Sequence, residues 1–191
     1  DGRGPTIVFC RTKRTAQKTA DDLMERGFRA ASIHGDLGQN AREKALNDFK
    51  SNKRDVLIAT DVAARGIDVD GITHVINYQC PEDEKTYVHR IGRTARAGAD
   101  GIAVTFVDWD ELARWKMIDT ALELGLPEPL ETYSSSPHFF EALDIPNDAS
   151  GRMVVAKKAE AAPKAEKPVK KEAPREKTAR VRTRTKRIAQ D

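Results

Sequence analysis

The sequence predicts an α/β domain built on a mainly parallel central sheet of about five strands. Its short apolar runs are continuous rather than alternating, which is typical of parallel strands that are covered on both faces. Segments with the apolar spacing of helices separate these runs, and the connections between them are short. In sheets of this kind ligands bind beyond the carboxyl ends of the strands, so we expect the functional residues there.

Five strands are predicted in chain order, over residues 6–10, 29–33, 55–59, 73–77 and 102–107. Thr12 can cap the first helix, which ends at Gly27, and a second helix lies between the second and third strands. A last helix begins at Asp108, since Asp108-x-x-Glu111 has the spacing of a capping box, and it ends at Gly125.

Charge is unevenly distributed along the 191 residues, although the net charge is only +3. Residues 1–151 carry 19 basic and 25 acidic side chains, whereas residues 152–191 carry 14 basic and 5 acidic ones. We predict a folded domain over 1–125, an extended C-terminal strap over 126–146 and a disordered tail over 147–191. The tail is rich in Lys, Arg, Ala and Pro, and it has too few apolar side chains to offset the entropy of ordering.

Several classes of protein are excluded by composition. The two cysteines, Cys10 and Cys80, do not form a disulfide framework, and no Cys/His spacing suits zinc. No apolar run approaches the roughly 20 residues of a membrane-spanning helix, and no signal peptide opens the chain. We expect no metal site in this chain and a reducing, cytoplasmic setting. Trp109 and Trp115, at helical spacing, are expected to pack in the core.

Three segments that follow predicted strands carry most of the polar chemistry: His34–Arg42, Ala59–Asp68 and Tyr87–Gly98. In the last of these, Arg90, Arg93 and Arg96 are three residues apart and would share one face of a helix. A solvated basic stripe is the ordinary meaning of this spacing. The neighbouring glycines and the acidic body favour a phosphate ligand instead, because guanidinium binds phosphate in a bidentate manner.

Two of these segments resemble a known family. Ala64-Arg65-Gly66-Ile67-Asp68 and His89-Arg90-Ile91-Gly92-Arg93-x-x-Arg96, in this order, resemble the second RecA-like lobe of a bacterial-type DEAD-box RNA helicase over roughly residues 5–125. His89 favours this family over DEAH-type and DNA-directed superfamily 2 motors, many of which carry Gln there. The resemblance implies a RecA-like three-layer sandwich in which ATP lies between two lobes.

The resemblance also implies a nucleotide site. Arg93 and Arg96 match arginine fingers that reach the γ-phosphate of ATP, and His89 matches a residue that couples them to an acidic motif of the other lobe. Asp68 matches a carboxylate that contacts the ribose, although a helix cap is an equally ordinary role for it. The implied cofactor-binding residues are Asp68, Gly66 and Arg65.

RNA contacts are implied for residues that offer hydroxyls, backbone N–H groups or guanidinium, the groups that bind phosphate without reading sequence. The implied residues are Thr12, Arg11, Gly35, Gln39, Arg42, Thr60 and Arg90. Without the resemblance, Thr12 is a helix cap and Arg42 a surface residue. Two residues depart from the family's pattern: Ala95 stands where Gly is usual, and Arg11 where many relatives have a neutral side chain.

The chain contains neither a Gly-x-x-x-x-Gly-Lys-Ser/Thr loop nor an Asp-Glu-Ala-Asp motif. We therefore expect it to be one lobe of an ATP-dependent RNA helicase whose amino-terminal lobe holds ATP with Mg²⁺, and to be inactive toward ATP alone. Two alternatives stay open: a non-catalytic RNA-binding or annealing module, and a lobe of a DNA-directed superfamily 2 translocase. The basic tail is either a spacer or an RNA tether, and its Lys/Arg runs favour the tether.

Overall fold

The computed structural model describes residues 4–96, 98–146, 148–149 and 151–153. Five strands form one sheet in the order β2-β3-β1-β4-β5, and all neighbouring strands are parallel. The strands are β1 (Thr6–Phe9), β2 (Ala30–Ile33), β3 (Val56–Ala59), β4 (His74–Asn77) and β5 (Ile102–Thr105). The predicted parallel α/β sheet is confirmed.

Helices connect the strands and follow the last of them. They are α1 (Lys13–Glu25), α2 (Gln39–Lys50), α3 (Asp61–Ala64), α4 (Glu84–Ile91), α5 (Leu112–Leu122) and α6 (Pro137–Ala142). A 3₁₀ turn, Trp109–Glu111, directly precedes α5. Strand–helix–strand connections of this kind are what allow parallel neighbours to pair.

The core lies on both faces of the sheet because the central strands are apolar on both sides. One face packs Ile7, Leu57 and Val75 with Phe49 of α2, and these four side chains are almost fully buried. The other face packs β1 and β3 against α1, whose Ala16 and Ala20 allow close approach. Burial of each such Ile, Leu or Phe side chain is worth about 1.5–3 kcal/mol relative to exposure.

Caps fix where three helical segments begin. The Thr12 hydroxyl accepts a hydrogen bond from the Thr15 N–H at 3.1 Å, so the predicted cap of α1 is confirmed. The Asp83 carboxylate accepts one from the Thr86 N–H at 2.7 Å, and this backbone hydrogen bond is the largest cause that lowers the pKa of Asp83. The capping box at Asp108 is present, although it opens the 3₁₀ turn rather than α5.

The segment after α5 is anchored to the domain. The indole N–H of Trp115 donates to the Leu126 carbonyl at 2.7 Å, and the Leu126 N–H donates to the Asp119 carboxylate at 2.6 Å. The expected extended strap is interrupted by α6, which Ser136 and Pro137 open, since proline suits the first turn of a helix.

The backbone remains in contact with the body past the predicted start of the tail at residue 147. The Met153 N–H donates to the Arg26 carbonyl at 2.9 Å. The rest of the predicted tail, residues 154–191, lies outside the described residues. In the described part of the chain, every helix is too short or too polar to cross a membrane.

The two cysteines are free thiols in the core. Burial raises the pKa of both Cys10 and Cys80 from 9.0 to about 11. Because only the thiolate is nucleophilic, we expect alkylation of the native protein by iodoacetamide near pH 8 to be about 100-fold slower than alkylation of the urea-unfolded chain. Mass spectrometry of timed samples measures this ratio for each thiol. Equal rates in the two states would contradict the burial described here.

Candidate nucleotide and nucleic-acid site

Only the first part of the arginine-bearing segment, Tyr87–Gly98, is helical. Helix α4 ends at Ile91, and the hydroxyl of Thr94 donates to the Ile72 carbonyl at 2.6 Å, which holds the following turn against the sheet. The prediction that Arg90, Arg93 and Arg96 share one helical face is therefore wrong. Only Arg90 lies on the helix, so the three guanidinium groups have separate surroundings.

Arg90 points into the protein, where its side chain is 1% exposed. Its Nε and Nη2 both donate to the carboxylate of Asp61 at 2.7 Å, and its Nη1 donates to Asn77 Oδ1 at 3.2 Å and to the Gln79 carbonyl at 3.1 Å. The guanidinium also lies 5.2 Å from the ring centre of Phe9. This geometry corrects the expected RNA contact, because a guanidinium held by a buried ion pair is not presented to a ligand.

Arg93 and Arg96 turn toward the loop that carries the Ala64–Asp68 motif. Arg93 Nη1 donates to the Ile67 carbonyl at 3.0 Å, and Arg96 Nη1 lies 3.8 Å from Asp68 Oδ1. Gly66 adopts a φ of +80°, and nothing lies within 4 Å of where a Cβ would project. The fold thus brings both candidate arginine fingers to the segment that was expected to contact the nucleotide.

The two remaining nucleotide candidates are exposed. Arg65 ends α3, and His89 lies on α4 four residues before Arg93. Arg93 Nε is buried and has no hydrogen-bond partner in the described structure. A guanidinium N–H without a partner in the domain is suited to an anionic ligand. In the described residues, no group of three or more His, Cys, Asp or Glu is arranged to hold a metal ion.

Three of the candidate RNA residues form a row at the carboxyl ends of three neighbouring strands. Thr12, Gly35 and Thr60 lie just beyond β1, β2 and β3, and the last residues of these strands are paired across the sheet. Gly35 is exposed, with open space where a side chain would stand. The Thr60 hydroxyl makes no capping hydrogen bond to α3. Neighbouring hydroxyls and backbone at the carboxyl edge can contact successive phosphates of a strand.

The other candidates for RNA contact have different settings. Gln39 and Arg42 lie in the first half of α2. Gln39 donates to Glu43 at 2.7 Å, and Arg42 Nε is buried without a hydrogen-bond partner in the described residues. Arg11 forms an ion pair with the buried carboxylate of Glu111, which also accepts from the Cys80 N–H at 3.1 Å. The charge of Arg11 is therefore already compensated within the domain.

Sequence analysis missed the acidic partners of these arginines. Asp61 adjoins Thr60 in a motif that had been singled out, but nothing in the pattern points from it to Arg90, 29 positions later. Glu111 was recognised only as part of a capping box, while its partner Arg11 is 100 positions away. Both pairs join segments that follow strands two places apart in the sheet, β3 with β4 and β1 with β5.

Ala95 has a φ of +55°, in the left-handed region that costs an alanine about 1–2 kcal/mol. The turn is closely packed, since a Cβ placed on Gly101 would lie 2.7 Å from the Ala95 nitrogen. We expect Ala95→Gly to stabilise the protein by about 0.5–1 kcal/mol, after allowance for the greater entropy of glycine in the unfolded chain. Urea unfolding measures this, with Ala121→Gly on the exposed face of α5 as a control that should destabilise. A loss of stability in Ala95→Gly would contradict the strain.

Comparisons with known proteins identify the family of this chain. Residues 1–98 match the family described as helicase conserved C-terminal domain. The chain is 55% identical over 107 residues to ATP-dependent RNA helicase CshA of Limosilactobacillus reuteri. The aligned stretch covers 56% of this chain and 22% of that protein. The chain therefore spans less than a quarter of the length of this relative.

Solved structures give the same result. The E. coli DEAD-box protein SrmB, in complex with regulator of ribonuclease activity A, superposes with a TM-score of 0.61 at 33% identity, over 70% of this chain and 83% of that one. S. cerevisiae Dbp5 bound to RNA and ADP BeF3 superposes with a TM-score of 0.58 at 37% identity, over 62% of this chain and 32% of that one. The chain belongs to the helicase C-terminal domain family and is a RecA-like C-terminal domain of the DEAD-box type.

Proposed function

We propose that this domain supplies one face of a composite ATP site in an RNA helicase, and that an amino-terminal RecA-like lobe supplies the other. The observation that carries the proposal is the convergence of Arg93 and Arg96 on the loop of Gly66 and Asp68, with the buried Nε of Arg93 unpaired. The likeness to Dbp5, whose structure holds RNA and ADP BeF3, supports both ligands.

ATP, with Mg²⁺ held by the amino-terminal lobe, would supply the γ-phosphoryl group that is transferred to water. Arg93 and Arg96 would place positive charge where negative charge develops during that transfer. The 3.8 Å pair between Arg96 and Asp68 lies in solvent and is worth about 0–1 kcal/mol, so Arg96 can exchange its partner at small cost. Asp68 would then be free to accept from a ribose hydroxyl. His89, exposed on α4, would face the other lobe.

The RNA strand would lie along the row formed by Thr12, Gly35 and Thr60. Contacts from hydroxyls and backbone to phosphates hold a strand without reading its bases. Closure of the two lobes would bend the bound strand and open a duplex locally, and release would follow hydrolysis.

The ion pair between Asp61 and the buried Arg90 would link the two ligand sites. Asp61 directly follows Thr60 on the RNA side, and Arg90 directly follows His89 on the nucleotide side. Two close hydrogen bonds to a buried guanidinium fix the relative position of these backbones. RNA and nucleotide would therefore be held by one rigid unit of the domain.

The test is RNA-stimulated ATP hydrolysis by this chain alone, and then by the chain with the amino-terminal lobe of a DEAD-box relative, added separately or fused ahead of residue 1 through a flexible linker. We expect no turnover by the chain alone and turnover by the two-lobe protein, because linkage raises the effective concentration of the second lobe. Turnover by the chain alone would overturn the half-site proposal.

The alternatives give different results in the same assay. A non-catalytic RNA-binding or annealing module would bind RNA but leave the fused protein inactive. A DNA-directed translocase would be stimulated by single-stranded DNA, whereas we expect stimulation by RNA. The proposed setting is a reducing, cytoplasmic one, which the two buried free thiols support.

A further inference from the structure

An open groove of about 1220 Å³ lies beside β5 and takes no part in the proposed ATP site. Its lining comes from the end of β5 through the start of α5, from residues 127–134, and from neighbouring side chains that include Tyr78 and Phe139. We call this cavity the β5 groove. None of the candidate nucleotide residues lines it.

The groove exposes aromatic side chains, including Trp109, which was expected to be buried. Trp115 is 5% exposed and packs edge-on against Tyr87, with 5.8 Å between ring centres, as predicted. Trp109 is instead 75% exposed, which corrects the prediction that it packs in the core. Tyr78 and Phe106, both partly exposed, lie edge to face at 6.3 Å between ring centres. Large apolar side chains clustered at one surface mark an interaction site.

The wall opposite β5 is also apolar and exposed. Leu130 and Tyr133 are exposed and line the groove from the segment after α5. Proline flanks this wall at positions 127 and 129. A cleft with apolar side chains on both walls can enclose a side chain of a ligand rather than only touch it.

The rim of the β5 groove is acidic. Four of its lining residues are exposed carboxylates, and among the described lining residues a single exposed lysine, Lys116, opposes them. These carboxylates belong to Asp108, Asp110, Glu128 and Glu131. The other basic lining residue, Arg11, is paired with Glu111. The rim therefore repels a phosphate backbone and attracts a basic partner.

Strand β5 offers backbone groups as well. It is the edge strand of the sheet and pairs with β4 alone among the described strands. An edge strand presents unpaired N–H and C=O groups to which an extended peptide can add. The groove thus combines the carboxyl end of an edge strand, apolar side chains and an acidic rim.

We propose that the β5 groove binds an extended segment of a partner protein in which an aromatic or aliphatic side chain is flanked by Lys or Arg. The apolar side chain enters between Trp109, Phe106 and Leu130, and the flanking cations meet the carboxylates of the rim. The segment runs beside β5. The proposal concerns a partner-binding surface and is independent of the ATP half-site.

The probe is a fluorescein-labelled synthetic peptide, Lys-Arg-Phe-Lys-Leu-Arg, titrated with the full chain and followed by anisotropy and by tryptophan emission. We expect saturable binding with a shift in the emission of Trp109, while the buried Trp115 gives a constant background. Trp109→Ala should weaken binding about tenfold or more, as for an aromatic anchor. Asp110→Lys should weaken it, and added salt should weaken it in the unaltered protein.

Two variants serve as matched controls. Met117→Ala removes an exposed apolar side chain of α5 outside the groove, and Glu25→Lys reverses an exposed charge at the end of α1. Both should bind the peptide with unchanged affinity. All four substitutions are at exposed positions, so circular dichroism should show an intact fold.

Several results would overturn the proposal. The first is that the basic peptide shows no saturable binding. The second is that Trp109→Ala binds the peptide as tightly as the unaltered protein does. The third is that a peptide with Glu in place of each Lys and Arg binds as tightly as the basic one. A shift of Trp109 emission by polyuridine but not by the basic peptide would assign the groove to RNA instead. Sedimentation showing self-association that Trp109→Ala abolishes would assign it to a second copy.

Discussion

Replacing Arg93 by alanine is expected to lower RNA-stimulated ATP hydrolysis of the two-lobe fusion by about 10³–10⁵-fold, the range known for arginine fingers in GTPases. The loss follows from removing a positioned cation where charge develops in the transition state. The fold should persist, because the Arg93 side chain contributes a single described hydrogen bond, to the Ile67 carbonyl, worth about 0.5–1.5 kcal/mol.

Two further variants make this experiment specific. Arg93→Lys keeps the positive charge but lacks the planar guanidinium with its paired N–H donors, so we expect it to recover only part of the activity. Arg14→Ala removes an exposed arginine of α1 and should leave turnover unchanged. Hydrolysis by Arg93→Ala at the rate of the unaltered fusion would exclude Arg93 as a catalytic residue. Circular dichroism and RNA binding show whether each variant is folded.

Asp61→Asn is expected to destabilise the domain by about 3 kcal/mol, the low end for breaking a buried ion pair. The substitution leaves the guanidinium of Arg90 buried without its counter-charge. The expected cost lies at the low end because the Asp61 side chain is 42% exposed and keeps contact with water. Urea unfolding, followed by circular dichroism, measures the change in the free energy of unfolding.

The contribution of the ion pair to stability can be separated from the effect of changing either residue alone. Arg90→Met combined with Asp61→Asn removes both charges at similar volume, and we expect the double variant to lose less stability than the sum of the single ones. Asp36→Asn is the control, since it breaks the exposed 2.8 Å pair with Lys13 and should leave the free energy of unfolding almost unchanged. A cost for Asp61→Asn as small as that of Asp36→Asn would show that the pair does not anchor the site.

The sequence by itself determined the class of the fold and the order of its elements. Continuous apolar runs distinguish parallel strands from half-exposed ones, and this property is local to each run. The caps at Thr12 and Asp108 were also predictable, because a cap bonds to backbone within three residues. The sequence also places the motif of residues 64–68 after β3 and the arginine-bearing segment after β4. The contacts of Thr94 with Ile72 and Gly101, however, put that segment beside the amino ends of β4 and β5 rather than at the expected carboxyl ends.

Only the tertiary structure decided what each arginine faces. Arg90, Arg93 and Arg96 look equivalent at a spacing of three, yet the end of α4 at Ile91 sends Arg90 into the core and leaves the other two at the loop of residues 65–68. The partners of Arg90 and Arg11 are distant in sequence. No local pattern encodes a contact that depends on the order of the strands in the sheet.

The two tryptophans also separate what local sequence predicts from what tertiary structure decides. The helical pattern from Asp108 onward predicts that Trp109 and Trp115 both pack in the core. A 3₁₀ turn instead occupies Trp109–Glu111 before α5 begins, so Trp109 stands outside the helix that buries Trp115. Within this turn the carboxylate of Glu111 points inward to Arg11 and the Cys80 N–H, while Trp109 is exposed. Local sequence predicts a helix start here, and only the tertiary structure shows which side chains of that start are buried.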